Sequence, residues 1–122
     1  MDTKELEKLP ATGGDINKDE PHIIIELIEY EHDAVVRKSI MKRDTGSINA
    51  LAFEAGKGLN ESTSPFDTYV QIIDGSAIID IGSKSHTLQK GAGIMIPAHQ
   101  SSRVRPNGRF KLIVTVIKSG YE

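Results

Sequence analysis

The middle of this chain is divided at Gly56, Gly75, Gly91 and Pro97 into short apolar runs, and no long amphipathic helix competes with them. Glycine at such points suits tight corners, where the backbone needs φ > 0 or must pass close to another strand. Around that frame the pattern is strand, turn, strand. Val35 to Met41 leads into the turn cluster Arg43-Asp-Thr-Gly46, and Ile48 to Phe53 then alternates strongly. Phe66 to Ile73 ends at Asp74-Gly75, a hairpin signal, and Ala77 to Ile81 follows. His86 to Leu88 closes on Lys90-Gly91, Ile94-Met-Ile96 runs into Pro97, and Arg103 to Arg105 runs into Pro106-Asn-Gly108. The last run, Phe110 to Ile117, is apolar on both faces, as for a strand buried on both sides or used in a subunit contact. The count is roughly nine or ten short strands at the ~8–12 residue spacing of a sandwich or barrel.

Residues 1–20 are polar and interrupted by Pro10, Gly13 and Gly14, so they read as a flexible or loosely docked arm, with residues 21–122 forming one domain. His22 to Tyr30 opens with three isoleucines that favour a strand, while Leu27-Ile-Glu-Tyr30 suits a short helical turn as well. Leu9-Pro-Ala-Thr-Gly13 looks like a sortase anchoring signal. Such a signal works near a C-terminus, ahead of an apolar tail, and here the match reads as coincidence inside a linker. At 122 residues the chain can bury a core without staples, and its 38% apolar content makes that core a small one. Fifteen basic and 17 acidic residues give a net charge of −2, with no basic stripe interleaved with aromatics. That excludes the usual electrostatic footprint of nucleic-acid binding. The absence of cysteine removes disulfides, thiolate zinc sites and Cys nucleophiles together. A charged N-terminus unlike a signal peptide, and no apolar run near the ~20 residues of a membrane span, complete the expectation of a cytoplasmic protein without membrane contact.

The frame also has a family likeness. Gly56-Lys-Gly-Leu-Asn-Glu-Ser-Thr-Ser-Pro-Phe-Asp-Thr68, continuing to Ile73-Asp-Gly75, and Gly91-Ala-Gly-Ile-Met-Ile-Pro97-Ala-His-Gln-Ser-Ser102 resemble the two signature motifs of the cupin superfamily. The first family motif is a glycine, five residues, His-x-His, three or four residues, Glu, six residues, glycine. The second is a glycine, five residues, Pro-x-Gly, two residues, His. Over about residues 34–118 the resemblance implies an all-β fold: a double-stranded β-helix, the jelly-roll-like cupin barrel, with a partly flexible N-terminal arm. In the family, three imidazoles and a carboxylate converge inside the barrel on iron, manganese, zinc or nickel. Here Ser62 and Ser64 stand at two histidine positions, Thr68 at the glutamate position and Ser102 at the last histidine, while His99 replaces the second motif's second glycine. A neutral hydroxyl offers neither the free lone pair of imidazole nor a full negative charge, so no metal, no other cofactor and no catalytic residue is expected here.

Strand parity turns Glu61 and Asp67 away from the interior, leaving His99 the only histidine near the mouth. As a loop residue it reads as partly exposed, and His22, His32 and His86 read as surface residues. The hydroxyls of Ser62, Ser64, Thr68 and Ser102 form either a small polar pocket satisfied within itself and by water, or a binding site for a small polar ligand. In the second case Phe66, Val70 and Val104 supply apolar walls and His99 lies at the mouth. His99 and Ser102, with no orienting acid in evidence, give weak support for a hydrolase. Arg37 to Arg43 reads as the solvent face of an edge strand, and Arg103 and Arg105 as solvated rim charges. The resemblance implies a homodimer, with Ile23-Ile-Ile25 as the segment for strand exchange. The expected function is that of a metal-free small-molecule-binding or scaffold protein. The alternative is a dioxygenase-, isomerase- or decarboxylase-type enzyme with a rearranged metal site that includes His99.

Overall fold

The computed structural model describes residues 1–14 and 16–118; residues 119–122 of the predicted domain lie outside that range. Its strands are β1 (Val35–Arg43), β2 (Gly46–Phe53), β3 (Leu59–Thr63), β4 (Asp67–Ile81), β5 (Lys84–Gln89), β6 (Gly93–Ile96) and β7 (Ser101–Ile117). A short helix, α1 (Thr3–Glu7), and a 3₁₀ turn at Ile24–Glu26 precede them. All strand pairings are antiparallel, in the order β1-β2-β7-β4-β5, with β3 added to β7 and β6 to β4.

The strands are fewer than the turn signals suggest because two expected reversals do not reverse the chain. β4 runs straight through Asp74-Gly75, and β7 through Pro106-Asn-Gly108. These two long strands pair along both their arms, from Asp67↔Ile117 to Ile72↔Leu112 and from Ser76↔Asn107 to Ile81↔Ser102, and the register slips around Asp74. A bulge bends the strand and shifts its pleat by one residue. Accordingly Val70 and Ile72 are buried before it and Ala77 and Ile79 after it, a change from even to odd positions. Gly75 sits at the bend with φ 68°, and a Cβ there would lie 2.3 Å from the Arg109 carbonyl oxygen. Asp-Gly serves a hairpin or a bulge equally well, since both need a residue at φ > 0.

The bend creates two arms, one built on β1, β2, β6 and the C-terminal half of β7, the other on β3, β5 and its N-terminal half. Inner faces of both arms feed one apolar cluster. It holds Leu51 and Phe53 of β2, Val70, Ile72, Ala77 and Ile79 of β4, and Val104, Phe110, Leu112, Val114 and Val116 of β7. Phe53 and Phe110, partners across the ladder, stack with ring centroids 4.3 Å apart.

A smaller cluster covers the outer face of β1 and β2, where Ile28 packs with Val36, Ala50 and Ala52. The expected strand at Ile23–Ile25 is instead a 3₁₀ turn over Ile24–Glu26, with Ile23 62% and Ile24 50% exposed. Polar anchors hold the backbone in that path. The Lys111 ammonium donates to the Ile25 carbonyl at 2.8 Å, Tyr30 donates its hydroxyl to Asp74 at 2.7 Å, and the Arg109 guanidinium lies 4.1 Å over the Tyr30 ring. Burial and the bond to Asp74 push the Tyr30 phenol above its ordinary range, which keeps it a donor. The edge of β1 that an N-terminal strand would need is already engaged at Arg37. Its N–H donates to the Pro10 carbonyl and its carbonyl accepts from the Thr12 N–H, both at 2.8 Å.

Candidate functional site

The register of β3 against β7 sets Ser62 directly opposite Ser102, with Leu59 opposite Val104 further along. Thr68 enters β4 between Ile96 of β6 and Val116 of β7. Thr68, Val70, Ser102 and Val104 are all buried, at 3% exposure or less, and Ser62 is half-buried. So the fold brings Ser62, Ser102 and the Thr68–Val70 segment to the inner side.

What meets them there is the beginning of the chain. The Met1 nitrogen donates to Ser102 Oγ, and the Asp2 N–H donates to Ser62 Oγ at 3.0 Å. Met1 and Leu6, at 3% and 2% exposure, join the same apolar cluster as Val70 and Val104. Burial lowers the pKa of the Met1 amino group, against the opposing pull of Asp2 and Glu5. The Asp2 carboxylate caps α1 by accepting from the Lys4 N–H at 3.0 Å. Within the arm expected to be flexible or loosely docked, residues 1–12 contact the rest of the chain through two buried side chains, two hydroxyl acceptors and the edge of β1. The first eight residues carry only two strong hydrophobes among charges, with no periodic pattern, so no sequence signal marks Met1, Asp2 and Leu6 as site residues.

The other predicted residues have separate roles. Ser64 is buried in the turn before β4, where its Oγ accepts from the Phe66 N–H at 3.2 Å and its carbonyl accepts from the His99 N–H at 2.7 Å. Asp67 Oδ1 accepts from the Ala98 N–H at 2.8 Å, so the 97–100 loop is stitched to the 64–67 turn by backbone donors. Phe66 is half-buried against the apolar cluster. His99 is exposed, with φ 67°. That left-handed conformation explains the glycine in the second family motif; His is among the residues that tolerate it best. Thr68 differs from the other hydroxyls: at 1% exposure, its Oγ1 has no hydrogen-bond partner among the described residues.

Arg103 and Arg105, expected as solvated charges, converge on one carboxylate on the outer face. Arg105 holds Asp80 through Nε at 2.7 Å and a second nitrogen at 3.0 Å, Arg103 reaches it at 3.2 and 3.0 Å, and Ser85 donates at 2.6 Å. Arg105 first, then Ser85 and Arg103, hold the Asp80 carboxyl well below the usual carboxylate range. The cluster lines a rim depression of about 350 Å³ with Glu61, Ser83 and Ser101.

As a donor set, the four family ligand positions do not fit a divalent transition metal. All are neutral hydroxyls, and Ser62, Ser64 and Ser102 already accept N–H donors. Among the described residues, no three His, Cys, Asp or Glu side chains are grouped to hold a metal ion. No helix among them is long and apolar enough to cross a membrane.

No family model and no curated protein matches the chain. Solved structures do. A conserved protein of unknown function from Streptococcus pyogenes is 21% identical with a TM-score of 0.81, over 86% of this chain and 92% of that one. A cupin superfamily protein from Desulfitobacterium hafniense is 24% identical with a TM-score of 0.79, over 84% and 94%. A cupin 2 conserved barrel domain protein from Leptotrichia buccalis is 23% identical with a TM-score of 0.74, over 77% of this chain and 46% of that one. With the bent β4–β7 pair and the two arms it creates, these likenesses show that the chain has the cupin fold.

Proposed function

We propose that this chain is a metal-free, non-catalytic cupin that binds a small polar molecule at Ser62, Thr68 and Ser102, with residues Met1–Leu6 acting as a displaceable cover. One observation carries the reading. Where a metal-bearing cupin has ligands, one hydroxyl here accepts from the Met1 amino group, a second from the Asp2 N–H, and a third, on Thr68, is buried without a partner among the described residues. Such an arrangement suits neutral hydrogen-bonding groups on a guest, with Val70 and Val104 as apolar walls. An enzyme using His99 as a ligand would need that side chain turned inward, whereas its N–H is held by the Ser64 carbonyl and the residue is exposed. The reading extends to a cytoplasmic homodimer, for which the exposed Ile23 and Ile24 offer apolar surface.

Metal analysis of protein purified without chelator tests the central claim, and a substoichiometric content of every transition metal is the expected result. Stoichiometric metal that disappears in His99→Ala would overturn it. In the converse experiment, Ser62→His, Ser64→His, Thr68→Glu and Ser102→His together restore imidazole and carboxylate donors. That variant is expected to gain nickel or zinc affinity.

A further inference from the structure

Beneath α1 lies a crevice of about 250 Å³ that the interior hydroxyls do not reach, and we propose that it is a second binding site, for a small carboxylate. Its roof is one face of α1, with Leu6 as the apolar element. Its floor is the inner face of β1 and β2, carrying Arg37, Ser39 and Asn49.

Arg37 makes the site. Its backbone is fixed on both sides by the strap at Pro10 and Thr12. One guanidinium nitrogen donates to Asn49 Oδ1 at a long 3.3 Å, and Asn49 is only 7% exposed. Nε is buried and has no hydrogen-bond partner among the described residues. A guanidinium is always charged and carries five donors in a rigid fork that matches the two oxygens of a carboxylate. A buried charged donor left unpaired is costly, so a preorganised arginine of this kind favours an acceptor from outside the chain. The charges around it agree. Among the described residues, the other ionic groups lining the crevice are Lys42 and Glu7, 3.5 Å apart and paired with each other, so neither compensates the positive charge of Arg37. Ser39 and Asn49 add neutral hydrogen-bonding groups, and Leu6 sets a limit on polarity at the roof. A short-chain carboxylate, with its head on the arginine fork and its tail against Leu6, satisfies each of these features. This site shares no residue with Ser62, Thr68 and Ser102, but its roof at Leu6 belongs to the cover proposed above, so a guest that displaces the cover also dismantles the crevice.

Butyrate is the probe, with sodium chloride at equal ionic strength as control and the full chain as sample. The Nε–H resonance of Arg37, assigned through its loss in Arg37→Met, reports directly on the orphan donor. Butyrate is expected to move that resonance along a saturable curve. Arg37→Met should weaken butyrate binding in calorimetry by about tenfold or more, the effect of losing a charge-assisted pair. Asn49→Leu serves as a second variant that keeps the arginine and is expected to weaken binding less. If the resonance responds to chloride and butyrate alike, or if butyrate binds Arg37→Met as well as it binds the parent, the proposal is wrong.

Discussion

Replacing Thr68 by valine is expected to make this protein more stable. The two side chains have nearly the same shape, so the change trades one hydroxyl for one methyl at a position that is 1% exposed. The hydroxyl has no hydrogen-bond partner among the described residues, and a buried polar group left in that condition costs about 1–3 kcal/mol. The new methyl adds about 0.8 kcal/mol of apolar burial beside Val70 and Val116. Some imperfect fit offsets part of both terms, and a net gain of about 1–2 kcal/mol is the working figure. Urea unfolding measures it. With an m-value of about 2 kcal/mol/M for a domain of this size, the midpoint should rise by about 0.5–1 M at unchanged m. Thr68→Ser keeps the hydroxyl and loses a methyl, and it should fall by about 1 kcal/mol. A lower midpoint for the valine variant would refute the reasoning, because it would mean that the hydroxyl is satisfied by something the chain does not supply.

Two further perturbations separate the tightly held parts of the fold from the loosely held ones. Phe53→Ala removes half of the buried Phe53–Phe110 stack and should cost about 3–5 kcal/mol of global stability. Leu6→Ala creates a comparable hole, but Leu6 belongs to a five-residue helix that can detach locally. Its global midpoint should move by about 1 kcal/mol or less while tryptic cleavage at Lys4 and Lys8 accelerates; equal global losses for the two variants would sink this contrast. Acid titration tests the Asp80 cluster. Its folded-state pKa is depressed from an ordinary value of 3.8, so its stabilising contribution is complete above that value and is lost as pH falls through the lower one. Asp80→Asn should therefore melt lower than the parent at neutral pH and show a flatter decline below about pH 4, and parallel acid limbs would contradict it.

The corners of this fold were legible because Gly56, Gly75 and Gly91 all adopt φ > 0, which a glycine signals by itself. Whether the chain reverses at such a corner depends on the partner strand. β7 pairs with β4 from Ile81↔Ser102 to Asp67↔Ile117, far beyond the reach of a hairpin turn, so Asp74-Gly75 read as a hairpin and proved to be a bulge. The family resemblance set Thr68 and Ser102 inside, and strand alternation carried that phase to Val70 and Val104; all four are buried. Neither had purchase on Met1 and Leu6. Their burial comes from packing against strand residues distant in sequence, and no local pattern encodes it. The isoleucines at 23–25 show the opposite failure: strong β propensity was overridden by anchors at Lys111, Tyr30 and Asp74.

The Pro10–Thr12 strap on the outer edge of β1 has a consequence for solution behaviour. It engages the Arg37 N–H and carbonyl, which would otherwise belong to an unpaired strand edge and invite pairing with another chain. The same strap carries Met1 and Leu6 into the interior. On the function proposed above, uncovering the hydroxyls would also bare that edge wherever the two parts of this backbone leave together. A guest that drives out the first residues favours the form able to self-associate, and its apparent affinity then rises with protein concentration. A dilution series would read this coupling as a binding curve that shifts with the amount of protein in the tube.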